Sequence, residues 1–99
     1  MPEKIIKEVT SEKLDKYFDV TRRAIKKAKS AKSGDSEKGK IAEDFLQMAE
    51  NYLSDAVHFQ KKGDFVSAFG AVNYAHAWLD AGARIGAFDV HDDELFAAD

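Results

Sequence analysis

The sequence predicts an all-α protein, a three-helix up-and-down antiparallel bundle with short N- and C-terminal extensions. Three observations predict it. Apolar residues recur at steps of three and four along three long runs. The single proline stands at position 2, so nothing downstream interrupts a helix. Polar segments bearing glycine separate the runs.

The first helix is expected over about 11–33. Thr10 or Ser11 can cap its start, with Glu12 in the first turn. Leu14, Tyr17, Phe18, Thr21, Ala24, Ile25 and Ala28 fall on one face, while Lys16, Arg23 and Lys27 point away. Lys26, Lys27, Lys29 and Lys32 crowd the last turns, where cations favour the helix dipole, and Gly34 is a fitting stop. The segment Ser33-Gly34-Asp35-Ser36-Glu37-Lys38-Gly39 reads as a linker. The second helix, about 37–62, carries Ile41, Phe45, Met48, Ala49, Tyr52, Ala56 and Phe59 inward, widened by Leu46, Leu53 and Val57. Lys61-Lys62-Gly63 ends it, and Asp64 caps the next. So short a turn forces antiparallel neighbours. The third helix, about 65–85, sets Phe65, Ala68, Phe69, Val72, Ala75, Leu79 and Ala83 on one side, and a tail occupies 86–99. At 1.5 Å per residue the helices run roughly 30–39 Å.

Ninety-nine residues suit one domain, 1–99, large enough to bury a core without staples. Hydrophobic residues make up 44% and charged residues 33%, which favours a folded chain over a disordered one. Cysteine is absent, which excludes disulfides and thiolate chemistry. No apolar h-region follows Met1-Pro2-Glu3-Lys4, and no apolar run nears the ~20 residues of a membrane span, so a cytoplasmic protein without membrane contact is expected. Charge is unevenly divided. Residues 1–40 hold 12 Lys/Arg against 7 Asp/Glu, and residues 41–99 hold 3 against 11. Oppositely charged helices attracting one another account for this. The alternative is a basic first helix that meets nucleic acid or an acidic protein.

The third helix is apolar on a second side. Ala71, Tyr74, Trp78, Ala81 and Ile85 form a stripe nearly opposite the first, and leaving its large side chains in water would forfeit roughly 1.5–3 kcal/mol each. Cover is expected from the N-terminal segment with Ile5, Ile6 and Val9, from the tail with Phe88, Val90, Leu95 and Phe96, or from a second copy or partner helix. The same helix carries a polar strip, Asn73, His76, Asp80 and Arg84. It reads as a buried-edge network in which Asp80 holds Arg84 and orients His76, or as a small binding site. His76 and Asp80 supply only two ligands at helical spacing, so no metal is expected, and no cofactor either. His58 reads as solvated. His91-Asp92-Asp93-Glu94 reads as a solubilising tail. Phosphate-cradling, nucleophile-elbow, zinc and calcium motifs are all missing, so no catalytic residue is assigned.

The stretch Lys62-Gly63-Asp64-Phe65-Val66-Ser67-Ala68-Phe69, followed by Asn73-Tyr74-Ala75-His76-Ala77-Trp78-Leu79-Asp80-Ala81-Gly82-Ala83-Arg84, resembles the signature of an archaeal family known as domain of unknown function 357. Tyr17-Phe18 and Phe88-Asp89-Val90 are also similar, so the resemblance covers nearly the whole chain. It implies a three-helix bundle and no established activity. The second hairpin resembles half of a tetratricopeptide repeat, but no 34-residue period recurs. It also resembles part of the HEPN superfamily, whose ribonucleases place four to six residues between an Arg and a following His. Arg84 and His91 meet that spacing formally, although Gly86 between them ends the helix. The expected function is therefore a non-enzymatic protein-interaction or self-association module, working as a homodimer or with another protein. The alternative is an RNA-associated protein or HEPN-like ribonuclease that uses Arg84, His91 and the basic first helix.

Overall fold

A computed structural model of the chain describes residues 5–97. It contains three helices, α1 (Ser11–Lys29), α2 (Ser36–Lys61) and α3 (Phe65–Arg84), and no strand among the described residues. Each start is capped by the side chain that precedes it. Thr10 accepts the Lys13 N–H at 3.1 Å, Asp35 that of Lys38 at 3.0 Å, and Asp64 that of Ser67 at 3.1 Å. α2 and α3 end alike. Gly63 and Gly86 adopt φ of 80° and 79°, a left-handed turn that glycine enters without steric cost. Asp64 N–H then reaches back to the Phe59 carbonyl, and Ala87 N–H to that of Gly82, closing both helices by the Schellman pattern.

α1 stops at Lys29, four residues before the expected Ser33, and Gly34 is not its cap. The tail explains the early end. Asp89 N–H donates to the Ala31 carbonyl at 2.8 Å and Ser33 N–H to the Ala87 carbonyl at 2.9 Å, so Lys32 and Phe88 form an isolated antiparallel bridge. Those groups are extended to pair with the tail and cannot continue the helix.

α3 is the central element. It packs on both other helices, most extensively on α2, while α1 and α2 touch each other least. The reason lies in residue size. Ala42, Ala49 and Ala56 of α2 and Ala68, Ala75 and Gly82 of α3 are all buried, and each set repeats every seven residues. Each pair, Ala56 with Ala68, Ala49 with Ala75 and Ala42 with Gly82, is equidistant in sequence from Lys62 in the turn. An antiparallel hairpin closed there sets them opposite one another. Small residues at every second turn let two backbones approach closely.

The expected inward face of α2 holds at Ala49, Ala56 and Leu46 and is corrected elsewhere: Ala42 joins them, and the large members of the stripe do not. The fully buried residues are Ala42, Leu46, Ala49 and Ala56. Phe45, Met48, Tyr52 and Phe59 are half-buried, and Ile41 is 36% exposed. Where helices come closest, large side chains do not fit and are displaced to the flanks. The faces of α1 and α3 fall as the spacing predicts, with Leu14, Phe18, Thr21, Ala24, Ile25 and Ala28 buried on α1 and Ala68, Val72, Ala75 and Leu79 on α3.

The interior divides along the helix axes. Leu14, Phe18, Ala56, Ala68 and Val72 meet near the α2–α3 turn. Met48 belongs to neither buried cluster. The larger cluster, at the opposite end, joins Ala24, Ala28, Leu46 and Leu79 to Phe88, Val90, Leu95 and Phe96 of the tail. The tail is thus part of the core. Its anchor is the Phe88 ring, which lies over Gly82 so closely that a Cβ there would sit 2.3 Å from it.

Two substitutions separate helix propensity from packing. Gly82→Ala should lower the melting temperature, because overpacking against Phe88 costs about 1–3 kcal/mol, more than the roughly 1 kcal/mol that alanine gains over glycine in a helix. Gly70→Ala, which meets nothing within 4 Å, should raise it. Thermal unfolding followed by circular dichroism checks both.

Candidate functional site

The predicted polar strip is split. Asn73, His76 and Asp80 line one cleft of about 210 Å³ with Tyr17, Val20, Thr21 and Ala77. Arg84, the last residue of α3, is exposed and does not line it. The cleft is built where α1 crosses the flank of α3. Tyr17 stacks edge-on against Phe69 at 4.9 Å, which fixes the spacing of the two helices there.

His76 organises the cleft. Its Nδ1 lies 3.0 Å from the hydroxyl of Thr21, the one buried polar side chain of the described core. Its Nε2 lies 3.5 Å from Asp80 Oδ1. With the ring hydrogen on Nε2 facing the carboxylate, Nδ1 accepts the Thr21 O–H. Asp80 Oδ1 also accepts the backbone N–H of Ala97 at 2.9 Å, and the Phe96 ring lies 6.5 Å from the imidazole. The sequence reading of His76 oriented by Asp80 therefore has a geometric counterpart. Thr21 and the tail are partners that it lacked. A threonine inside an apolar stripe was the available sign of a polar partner across the interface. Among the described residues, no group of three or more His, Asp or Glu side chains is placed to hold a metal ion.

The tail lies along this flank as a strap. Asp92 Oδ1 accepts the N–H groups of Glu94 and Leu95 at 3.0 and 3.3 Å, and its Oδ2 accepts Lys27 Nζ at 2.9 Å. The Lys27 hydrogen bond, with the turn's N–H donors, holds the Asp92 carboxyl below its ordinary value of 3.8. Asp92, read as part of a solubilising run, is thus a structural anchor. Asp64 is held low in the same way by Ser67. Lys29 pairs with Glu50 at 3.0 Å and Arg23 with Asp19 at 3.5 Å. Basic side chains of α1 are accordingly engaged within the chain.

The second stripe of α3 is half covered, and by α2. Phe45 meets Trp78 edge-on at 5.0 Å, and Tyr52 meets Tyr74 at 4.4 Å. Tyr74 and Trp78 lie 6.1 Å apart, so four rings form a continuous row along the α2–α3 edge. Trp78 is half-buried, and its indole N–H has no acceptor among the described residues; Ala71 is half-buried against the Leu14 cluster. Tyr74, Ala81 and Ile85 remain exposed, Tyr74 by 49% and Ile85 by 47%. Neither proposed intramolecular cover reaches them. Ile5 and Ile6 are exposed, Val9 packs at the far end beside the Leu14 cluster, and the strap reaches back to His76 and Asp80 on the opposite flank of α3. The cause is Phe88, which turns the chain over Gly82 toward α1.

The sequence profile of the family described as protein of unknown function DUF357 matches residues 16–88. The chain belongs to the DUF357 family. The matched segment contains most of α1, all of α2 and α3, and the Lys32–Phe88 bridge. The strap from Asp89 onward lies beyond it. No curated protein and no solved structure matches the chain. Of the HEPN-like pair, Arg84 closes α3, and His91 stands in the strap beyond Gly86, with Nε2 3.1 Å from Asp89 Oδ1. No helix among the described residues is long and apolar enough to cross a membrane.

Two measurements probe this region. Thr21→Val keeps the shape but leaves His76 Nδ1 without its donor, and should cost about 1 kcal/mol in chemical denaturation. The depressed Asp92 carboxyl contributes stability that is present above its unfolded value of 3.8 and lost as pH falls through the lower folded value. The Leu95 and Phe96 resonances should therefore move toward random-coil positions below that pH, and Asp92→Asn should bring the change to neutral pH.

Proposed function

We propose that this DUF357 protein is a non-enzymatic helical interaction module that associates with a second copy of itself through the outward face of α3. One observation carries the reading. The exposed residues of α3 ahead of its final Arg84 are Val66, Gly70, Asn73, Tyr74, Ala77 and Ala81, and none is charged. Val66 is 75% exposed, and Ile85 continues the face beyond the helix end. The exposed face of α1 differs, being Glu12, Asp15, Lys16, Asp19, Arg22, Arg23, Lys26, Lys27 and Lys29 after Ser11. A surface intended only for water carries charges; one lacking them along about 24 Å of helix suits another apolar helix.

A second copy fits this face better than a charged partner does. A two-fold axis sets a patch against itself, and a face without charges meets its own image without repulsion. Gly70, Ala77 and Ala81 leave room for close backbone approach, while Tyr74 and Ile85 supply the area. The half-buried rings of Phe45, Trp78 and Tyr52 continue from Tyr74 along the border of the patch and stiffen it.

Sedimentation velocity over a range of concentrations tests the reading. The wild type should shift from monomer to dimer as concentration rises. Ala81→Glu and Ile85→Glu lie on the exposed surface and should leave the helical spectrum and melting temperature nearly unchanged. Each should weaken association at least about tenfold, since one buried unpaired charge costs more than 1.4 kcal/mol. A wild type that stays monomeric at the highest concentration overturns self-association.

A further inference from the structure

The strap matches its seat in charge, through Asp92 on Lys27, and in apolar contact, through Leu95 and Phe96. Past Phe88, the segment Asp89–Ala97 forms neither helix nor strand, only the turn at Asp92. It meets the folded body through buried Val90, Leu95 and Phe96, through Lys27 on Asp92, and through the Ala97 N–H on Asp80. Leu95 and Phe96 enter the same buried cluster as Ala24, Ala28 and Leu79, the facing sides of α1 and α3. Asp92, Asp93 and Glu94 stand immediately before them in sequence, and Asp92 meets Lys27 of α1 at 2.9 Å, where Arg23 and Lys26 are also exposed. Those three lysine and arginine side chains line an open depression of about 510 Å³ together with Ser30 and Leu95.

An acidic residue paired with a basic helix, followed by adjacent Leu and Phe that fill an apolar seat between α1 and α3, joins charge and apolar recognition in one segment. The groove walls lie inside the family-matched segment 16–88, and the strap lies outside it. The polar part of the strap's hold is open to solvent, its ion pair being 46% exposed at Lys27 and 25% at Asp92, while Val90, Leu95 and Phe96 anchor it in the larger cluster. A chain segment outside the helices opens locally at less cost than the whole fold does. We propose that the α1–α3 groove is a docking site for an acidic segment bearing adjacent Leu and Phe on another protein, and that Asp89–Ala97 is the resident occupant such a segment displaces. The strap then guards the groove. A partner binds only in the fraction of molecules whose strap is open, so its apparent affinity is reduced by that fraction.

A fluorescein-labelled peptide with the sequence of residues 90–97 is the probe, and its anisotropy is read against the full chain. Wild type should bind it weakly. The Leu95→Ser/Phe96→Ser chain, with its strap released, should bind at least about tenfold more tightly. Asp92→Ala releases the strap more mildly and serves as the second folded test if the double variant loses its helical spectrum. Neutralising Asp92, Asp93 and Glu94 in the peptide, or replacing its Leu and Phe by Ser, should weaken binding, as should added salt for the charged peptide. Folded strap-released chains that bind no peptide, or no better than wild type, overturn the proposal. So does binding that ignores the peptide's acids or its Leu-Phe pair. Ala81→Glu and Ile85→Glu lie on the opposite flank and should leave peptide binding unchanged, so this site and the α3 dimer face stand or fall separately.

Discussion

The close approach of α2 and α3 along a seam of small residues is the constraint on which the rest of the structure depends. Ala42, Ala49, Ala56, Ala68, Ala75 and Gly82 bury no large side chains. Their contribution is proximity. It brings two backbones close enough for dispersion contacts along the length of both helices, and it fixes their register about the Lys62-Gly63-Asp64 turn. Gly63, at φ 80°, lets the chain reverse within three residues, so the register is set by the turn as well as by the seam.

The consequences spread outward from that line. Large residues excluded from the seam take its flanks. On one flank, Phe45, Tyr52, Tyr74 and Trp78 interlock edge to face and remain partly in water. On the other, α1 lies farther from α2, and the wider interior needs larger side chains, Phe18 near the turn and Phe88 at the opposite end. Gly82 serves both purposes. It continues the small-residue seam of α3, and it gives the Phe88 ring its seat. The strap follows from that seat, because a chain turned over Gly82 is aimed back along α1 and α3 toward His76.

The charge imbalance finds its use in the same geometry. The basic end of α1 meets Asp92 of the strap and Glu50 of α2, so oppositely charged parts attract across the fold. The uncharged outward face of α3 takes no part in this. One molecule therefore presents two unlike surfaces, a basic groove occupied by its own acidic strap and a neutral helix face open to solvent. They divide between opposite flanks of the central helix.

Much of this was legible in the residues themselves. The three helices, the inward faces of α1 and α3, the caps at Thr10 and Asp64, and the reversal at Gly63 are local consequences of period, capping chemistry and glycine's freedom. On α2, Ala49, Ala56 and Leu46 were legible as inward, but Phe45, Met48, Tyr52 and Phe59 were not excluded, because size keeps them from closest contact; Ala42, seven residues before Ala49, was the member missed. The end of α1 depended on hydrogen bonds from residues more than fifty positions away, which no local pattern contains. The pairing of Thr21 with His76, the departure of Arg84 from their cleft, and the separation of Asp92 from its acidic neighbours as an anchor were likewise settled only when α1, α3 and the strap came together. Periodicity and turn chemistry act between neighbours in sequence, so the sequence alone determined the elements and their antiparallel order. Which faces met, which stayed in water and which side chains shared a site depended on packing between distant segments, and only the tertiary structure decided them.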